Sequence, residues 1–210
     1  MRFRHLLWDF DGTLFDTYPP LIQAIEQALT DDEIAVQRDL IAELLSNTLS
    51  TCIAALIEKY NLDGATFEAR VDHYWSQTTP QDNPPFPGAV HACERVLAAG
   101  GQHYIITHRG RESMMALLDW YNVTGMFADF LTRDDGYPRK PDPSSFWAMI
   151  ERHHLRLDEV LAIGDRALDI QAGQEAGVHT CLFSAVPLPD VQPDYVIADF
   201  EALIGVVGVD

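Results

Sequence analysis

Short apolar runs of strand length alternate with stretches of helical period along most of this chain, and one long segment breaks the alternation. Phe3 to Trp8 is strand-like and ends in carboxylates. Ala89 to Ala99 carries a helical period and stops at Gly100-Gly101, after which His103–Ile106 reads as a buried strand ending at Thr107. Helix then follows over Glu112–Tyr121, a short strand at Phe130–Thr132, and a helix over Pro143–His153 opened by residues suited to a first turn. Val160–Ile163 is a strand running into Gly164-Asp165, and Ala167–Ala176 is helical. Thr180–Phe183 and Tyr195–Ile197 are the last strands, with Asp199 placed to cap a terminal helix. Alternation of this kind predicts an α/β fold, a parallel sheet covered by helices on both faces. Chemistry in such a fold belongs at the carboxyl ends of the strands, where this sequence puts its polar residues.

The exception runs from about Pro19 to Thr79. Leu21, Ile22, Ile25, Ala28 and Leu29 recur at helical spacing, as do Leu40, Ile41, Leu44 and Leu45, then Ile53, Leu56, Ile57 and Tyr60. It ends in Thr78–Gly88, where four prolines in eight positions break helix and ladder alike. The 210 residues are therefore expected to form one sheet domain from 1–15 plus 86–210, interrupted by a small helical insertion over 16–85. With 47% hydrophobic residues the chain can bury a real core. Its 14 cationic against 32 acidic residues leave a net charge of −18, a field that repels phosphate backbones and anionic lipid. Nucleic acid and membrane surfaces are accordingly not expected as partners. No uncharged apolar run approaches the ~18 residues of a membrane span, and only three apolar residues precede Asp9 after the basic start. Cys52, Cys93 and Cys181 lie far apart with no CxxC pair, so buried thiols in a reducing, cytoplasmic setting are expected rather than a disulfide framework or a zinc site.

Asp9 and Asp11 stand two apart at a strand exit, so both side chains can face one site. Phosphoryl transfer through a covalent intermediate needs a nucleophile and a separate proton shuttle, and two differently placed carboxylates suit that division. Asp165 and Asp169 sit four apart where a helix begins and share a face. Lys140 is one of only two lysines, with Lys59, in a chain whose other twelve cations are arginines. A lysine kept before Pro141 in such a chain points to a need for a compact ammonium.

Asp9-Phe10-Asp11-Gly12-Thr13, the lone Thr107 after an apolar strand, Lys140-Pro141-Asp142-Pro143 and Gly164-Asp165 followed by Asp169 come in this order across nearly the whole chain. Together they resemble the haloacid dehalogenase (HAD) superfamily of phosphatases and phosphomutases. The resemblance implies a Rossmann-like core with an inserted helical cap. It implies Mg²⁺-dependent hydrolysis of a small phosphorylated metabolite, with Asp9 as the nucleophile that becomes an aspartyl phosphate. Asp11 would protonate the leaving alkoxide and then activate water, and Gly12 would permit the tight turn behind them. Lys140 would hold Asp9 and neutralise a phosphoryl oxygen, with the Thr107 hydroxyl binding another. Oxygen-only ligation suits Mg²⁺, with Asp9, the backbone carbonyl of Asp11 and Asp165 as direct ligands and Asp169 more remote.

Other reactions of that superfamily leave different marks. Dehalogenases lack the second aspartate, which is present here as Asp11. The phosphonate-cleaving branch needs an alanine at that place and a cap lysine for a Schiff base, and Lys59 is the only lysine of the insertion. A phosphomutase of the β-phosphoglucomutase kind is the alternative within the family; it must grip a second phosphate, whereas residues 16–85 hold three cations against twelve acids. A receiver-like signalling module, the alternative outside it, runs shorter, without such an insertion and without a GDxxxD segment. Residue for residue the chain is most similar to the phosphoglycolate-phosphatase-like branch. A lid of this size implies substrates small enough to be enclosed.

Two positions depart from the commonest pattern. His108-Arg109 follows Thr107 where Asn or Ser is frequent, and Arg166 follows Asp165 where Ser is frequent. His108, Arg109 and Arg166 are therefore candidate substrate-binding residues. Arg109 or Arg166 either reaches over the site to a second anionic group of the substrate or pairs with local carboxylates. His153-His154 reads as a solvated helix end, and His73, Tyr74 and Trp75 as packing within the insertion.

Overall fold

The computed structural model describes residues 1–46, 48–186 and 188–209. Its backbone divides into two units, one of Met1–Asp16 with Pro85–Asp210 and one of Thr17–Pro84. The first is built on a six-stranded sheet with strands β1 (His5–Trp8), β2 (Gln102–Ile106), β3 (Phe127–Leu131), β4 (Val160–Gly164), β5 (His179–Phe183) and β6 (Tyr195–Ile197). Their order is β3-β2-β1-β4-β5-β6, and every pairing is parallel. In register, Leu7 of β1 lies between Tyr104 of β2 and Ala162 of β4. The order reverses beside β1, and that reversal opens a crevice at the strand ends.

Helices cover both faces, which explains why the strands are apolar almost throughout instead of alternating with polar residues. Leu6, Trp8, Ile105, Leu161 and Ile163 point to one face, buried with residues of α5 (Ala89–Ala98), α6 (Arg111–Trp120) and α9 (Phe200–Val207). Leu7, Tyr104, Ile106 and Ala162 point to the other, buried with residues of α7 (Ser144–His153) and α8 (Ala167–Glu175). Asp199 caps α9 by accepting from the Ala202 N–H at 2.8 Å. β3 begins at Phe127, three residues before the strand expected from sequence, because the polar Asp129 within it is matched by Arg152 and His153, each at 2.8 Å. His153 is thus held against the sheet rather than solvated, and its ring lies 4.8 Å from that of Tyr104.

The second unit consists of α1 (Tyr18–Thr30), α2 (Arg38–Leu45), α3 (Leu49–Tyr60) and α4 (Gly64–Ser76) around a core of its own that includes Ile25, Leu29, Ile41, Cys52, Leu56 and Phe67. Thr48 and Asp63 cap α3 and α4 by accepting from the N–H groups of Thr51 and Thr66. The proline-rich exit still makes one 3-10 turn over Pro80–Asp82. Proline is tolerated at its first position, where an N–H is not needed, and the Asp82 carboxylate accepts from the Thr79 N–H at 2.8 Å. Cys52, Cys93 and Cys181 are buried thiols with no disulfide. No described helix is long and apolar enough to cross a membrane.

Candidate active site

The ends of β1, β2 and β4 and the segment between β3 and α7 bring the predicted residues to one end of the sheet. Asp9 follows β1 directly and its N–H donates to the Ile163 carbonyl at 2.8 Å, a last ladder bond that fixes the side chain beside β4. The chain then turns sharply: the Gly12 N–H donates to the Phe15 carbonyl at 2.9 Å with Gly12 at φ 81°, a conformation that favours glycine. The rings of Phe10 and Phe15 stack beneath this turn, 4.5 Å apart.

Lys140 occupies the centre. Its ammonium donates to Asp9 Oδ1 at 2.7 Å and to Asp169 Oδ1 at 2.8 Å, with all three side chains no more than 3% exposed. Two carboxylates enclosed with one ammonium leave a net negative pocket. Burial pushes the Asp9 carboxyl up to about 7, with Lys140 pulling against that shift and Asp169 reinforcing it. Asp169 stays below the ordinary carboxylate range: burial opposes this, but Lys140 and Arg166 outweigh it. Lys140 itself is raised by the same two aspartates against its desolvation. Breaking so buried a pair costs about 3–5 kcal/mol, since it strands the surviving charge.

Gly164 makes room for this grouping. A Cβ at that position would lie 2.3 Å from the Cβ of Asp169, so glycine is required for the first turn of α8 to fold back over β4. The second oxygen of Asp169 accepts from the Arg166 N–H at 3.1 Å, the helix-start geometry expected of an acid there. Asp9, Asp165 and Asp169 each bring one carboxylate oxygen within 4.8 Å of the others.

That set fits a hard divalent cation. The ligating atoms are all oxygens, and Asp9 Oδ2 is buried without any hydrogen-bond partner. A buried carboxylate oxygen left so is costly unless a cation or reacting group takes it. Asp165 Oδ1 accepts from the Thr13 hydroxyl at 3.1 Å, a contact that aims the carboxylate. Both oxygens of Asp169 are already engaged, which suits a supporting place rather than direct ligation.

The segment after β2 completes the arrangement. Thr107 is buried, its N–H donates to the Leu131 carbonyl, and its Oγ1 accepts from the Arg109 N–H at 3.0 Å. That bond uses the hydroxyl as an acceptor and leaves its proton free to donate. His108 accepts at Nε2 from the Lys140 N–H at 2.9 Å. Arg109 donates to Asp11 Oδ1 at 2.6 Å and to the Ser113 hydroxyl at 2.9 Å, over the face of Phe10. Arg166 Nε lies 4.0 Å from oxygens of both Asp165 and Asp169. Both arginines thus lie against local carboxylates. Sequence reading gave no role to Thr13 or Ser113. Thr13 stood inside the Asp9–Thr13 segment, and Ser113 had only its place four residues after Arg109 as a signal.

A doubly wound parallel sheet with an ammonium-braced acid cluster at its switch point is the build of an α/β enzyme whose site lies at the strand ends. The family model for haloacid dehalogenase-like hydrolases matches residues 6–183, and the chain belongs to that family. A phosphoglycolate phosphatase from Aliivibrio fischeri is 26% identical over 96% of this chain and 95% of its own length. Among solved structures, one described as a predicted phosphoglycolate phosphatase from Haemophilus somnus matches with a TM-score of 0.83 at 19% identity, covering 98% of each chain. A HAD-type hydrolase from Bacillus subtilis, solved bound to magnesium, matches over 100% of each chain with a TM-score of 0.78 at 24% identity.

Proposed function

We propose that this hydrolase is a Mg²⁺-dependent phosphatase that cleaves a small phosphomonoester through an aspartyl phosphate on Asp9. The observation that carries the reading is the asymmetry of the Asp9 carboxylate: Oδ1 is held by Lys140, and Oδ2 is buried with no partner. An oxygen so oriented and stripped of competing donors is a nucleophile placed in advance. In the first step Oδ2 attacks phosphorus, the bond from phosphorus to the leaving oxygen breaks, and Asp11 gives that oxygen its proton. In the second, Asp11 takes a proton from water as the water oxygen attacks phosphorus, and the bond to Asp9 breaks to release inorganic phosphate. Lys140 and the Thr107 hydroxyl receive phosphoryl oxygens as charge builds on them. Asp9, the Asp11 carbonyl and Asp165 would hold Mg²⁺, with Asp169 behind them. The bound ion would draw charge from the phosphoryl oxygens and orient the group for in-line attack.

The relatives' names make 2-phosphoglycolate the first substrate to try. Three cations against twelve acids over residues 16–85 disfavour the mutase alternative, which must hold a second phosphate. Buried, unpaired thiols are compatible with a cytoplasmic setting. The test is phosphate release from a panel of phosphorylated metabolites with Mg²⁺, comparing the wild type with Asp9→Asn. Expected are turnover with one substrate ~100-fold above the rest in kcat/KM, its loss in the variant, and radiolabelled phosphoryl trapped on the Asp9 peptide. Label on another residue, or undiminished turnover in Asp9→Asn, would overturn the reading.

A further inference from the structure

His108 is a candidate substrate-binding residue by sequence, but its ring is turned to a different task. Nε2 accepts a hydrogen bond from the backbone N–H of Lys140 at 2.9 Å, thirty-two residues along the chain. Donors face both ring nitrogens, the Lys140 N–H at Nε2 at 2.9 Å and Arg139 Nε at Nδ1 at 3.4 Å; the shorter contact makes Nε2 the acceptor and leaves the single ring proton to Nδ1. Protonating both nitrogens would set one N–H against another. Burial, with the charges of Lys140 and Arg139 nearby, accordingly holds the ring far below its usual range, at about 3. An imidazole in that state brings no positive charge to a phosphoryl oxygen.

We infer that His108 is a positioning residue for Lys140: its neutral ring pins the lysine backbone so that Nζ stays seated between Asp9 and Asp169. The lysine side chain is a flexible stem of four carbons, and it reaches both carboxylates only from a fixed Cα. Pro141 follows it and has no N–H to tie the segment down. The Asp142 N–H closes a turn onto the Arg139 carbonyl at 3.1 Å, and the His108 ring, bonded by the Lys140 N–H and met more loosely by Arg139 Nε at 3.4 Å, fastens that turn to the end of β2. The same short segment thus supplies Thr107 and, one residue on, the brace for the ammonium opposite. Misplacement of a catalytic group by 1 Å can cost on the order of 100-fold in rate, so the brace has leverage on turnover if the phosphatase reading holds.

The lysine count supplies a direct assay. Lys59, exposed on α3, is an internal reference for Lys140 in the same molecule. Limited acylation with acetic anhydride, followed by peptide mass spectrometry, should label Lys140 far more slowly than Lys59 in the wild type. His108→Leu should raise the Lys140-to-Lys59 labelling ratio on the order of 10-fold, through local opening of the seat. His108→Gln, whose amide oxygen reaches about as far as Nε2, should bring the ratio back to within about 3-fold of wild type. His108→Asn stops one bond short and should behave like the leucine variant, which keeps the test open should His108→Leu not fold. Kinetically the leucine and asparagine variants should lose on the order of 10-fold to 100-fold in kcat with a smaller change in KM, and glutamine should recover most of it. An unchanged labelling ratio in His108→Leu and His108→Asn, or a glutamine variant as reactive as leucine, would overturn the inference. The labelling needs no turnover. The expected ratios in a protein that hydrolyses no phosphomonoester would uphold the brace and overturn the phosphatase reading instead.

Discussion

Arg109 and Asp11 form the tightest ion pair at the mouth of the site, and their side chains differ in exposure, 11% against 27%. The arginine is anchored by Ser113 and by the Phe10 ring, so it fixes the aspartate more than the aspartate fixes it. Removing it should therefore affect proton transfer more than ground-state binding. Arg109→Ala is expected to lower kcat on the order of 10-fold to 100-fold for alkyl phosphomonoesters, whose leaving oxygen needs a proton. p-Nitrophenyl phosphate, with a good leaving group, should lose much less. Steady-state kinetics on the two substrates decide the matter: a KM rise confined to substrates with a second anionic group would make Arg109 a substrate grip. At this scale the types of the central residues were legible, because carboxylates at strand exits and a rare lysine stand out in a line of text. Their mutual contacts were not. Whether His108 meets phosphate or Lys140 depends on how segments 32 residues apart come to face one another, and no local pattern encodes that.

At the level of elements, β1, β2 and α5 share one buried polar tie. The Trp8 indole N–H donates to His103 Nδ1 at 2.9 Å, and Nε2 of the same ring bonds the Cys93 carbonyl at 3.0 Å. His103 is completely enclosed, and burial lowers its pKa to about 4 against the opposing bond to Cys93. Above pH 6.5 the ring is neutral folded or unfolded and the pH does not matter. As pH falls from 6.5 towards 4 the unfolded chain takes up a proton that the native state refuses, so stability is lost across that window, by about 3 kcal/mol at most. Denaturant titrations at several pH values should show this slope in the wild type and its absence in His103→Gln; an identical slope in both would assign acid sensitivity elsewhere. The fold itself was largely visible in the sequence, since strands covered on both faces are apolar throughout and the glycines at 100–101 and 164 punctuate them. β3 was cut short because Asp129 breaks the apolar run, and its partners Arg152 and His153 lie on a helix that only the tertiary structure brings beside it.

For the whole molecule the dominant quantity is a net charge of −18, which opposes the arrival of any anionic ester. Screening should relieve it. With Mg²⁺ saturating, kcat/KM for a small phosphomonoester is expected to rise a few-fold as added NaCl goes from about 10 to 150 mM, while the Debye length shrinks from roughly 30 to 8 Å. Initial rates at low substrate measure this, and a fall instead would mean that the local cations Lys140, Arg109 and Arg166 govern capture. The central place of β1 carries a consequence for biosynthesis. Its register partners begin at Gln102 on one side and Val160 on the other. The ribosome thus makes Leu6, Leu7 and Trp8 long before Gly164, which it must reach before both flanks exist. Until then a nascent chain leaves one edge of β1 unpaired before the folding machinery, and no premature termination product ending short of Asp169 can assemble the acid cluster.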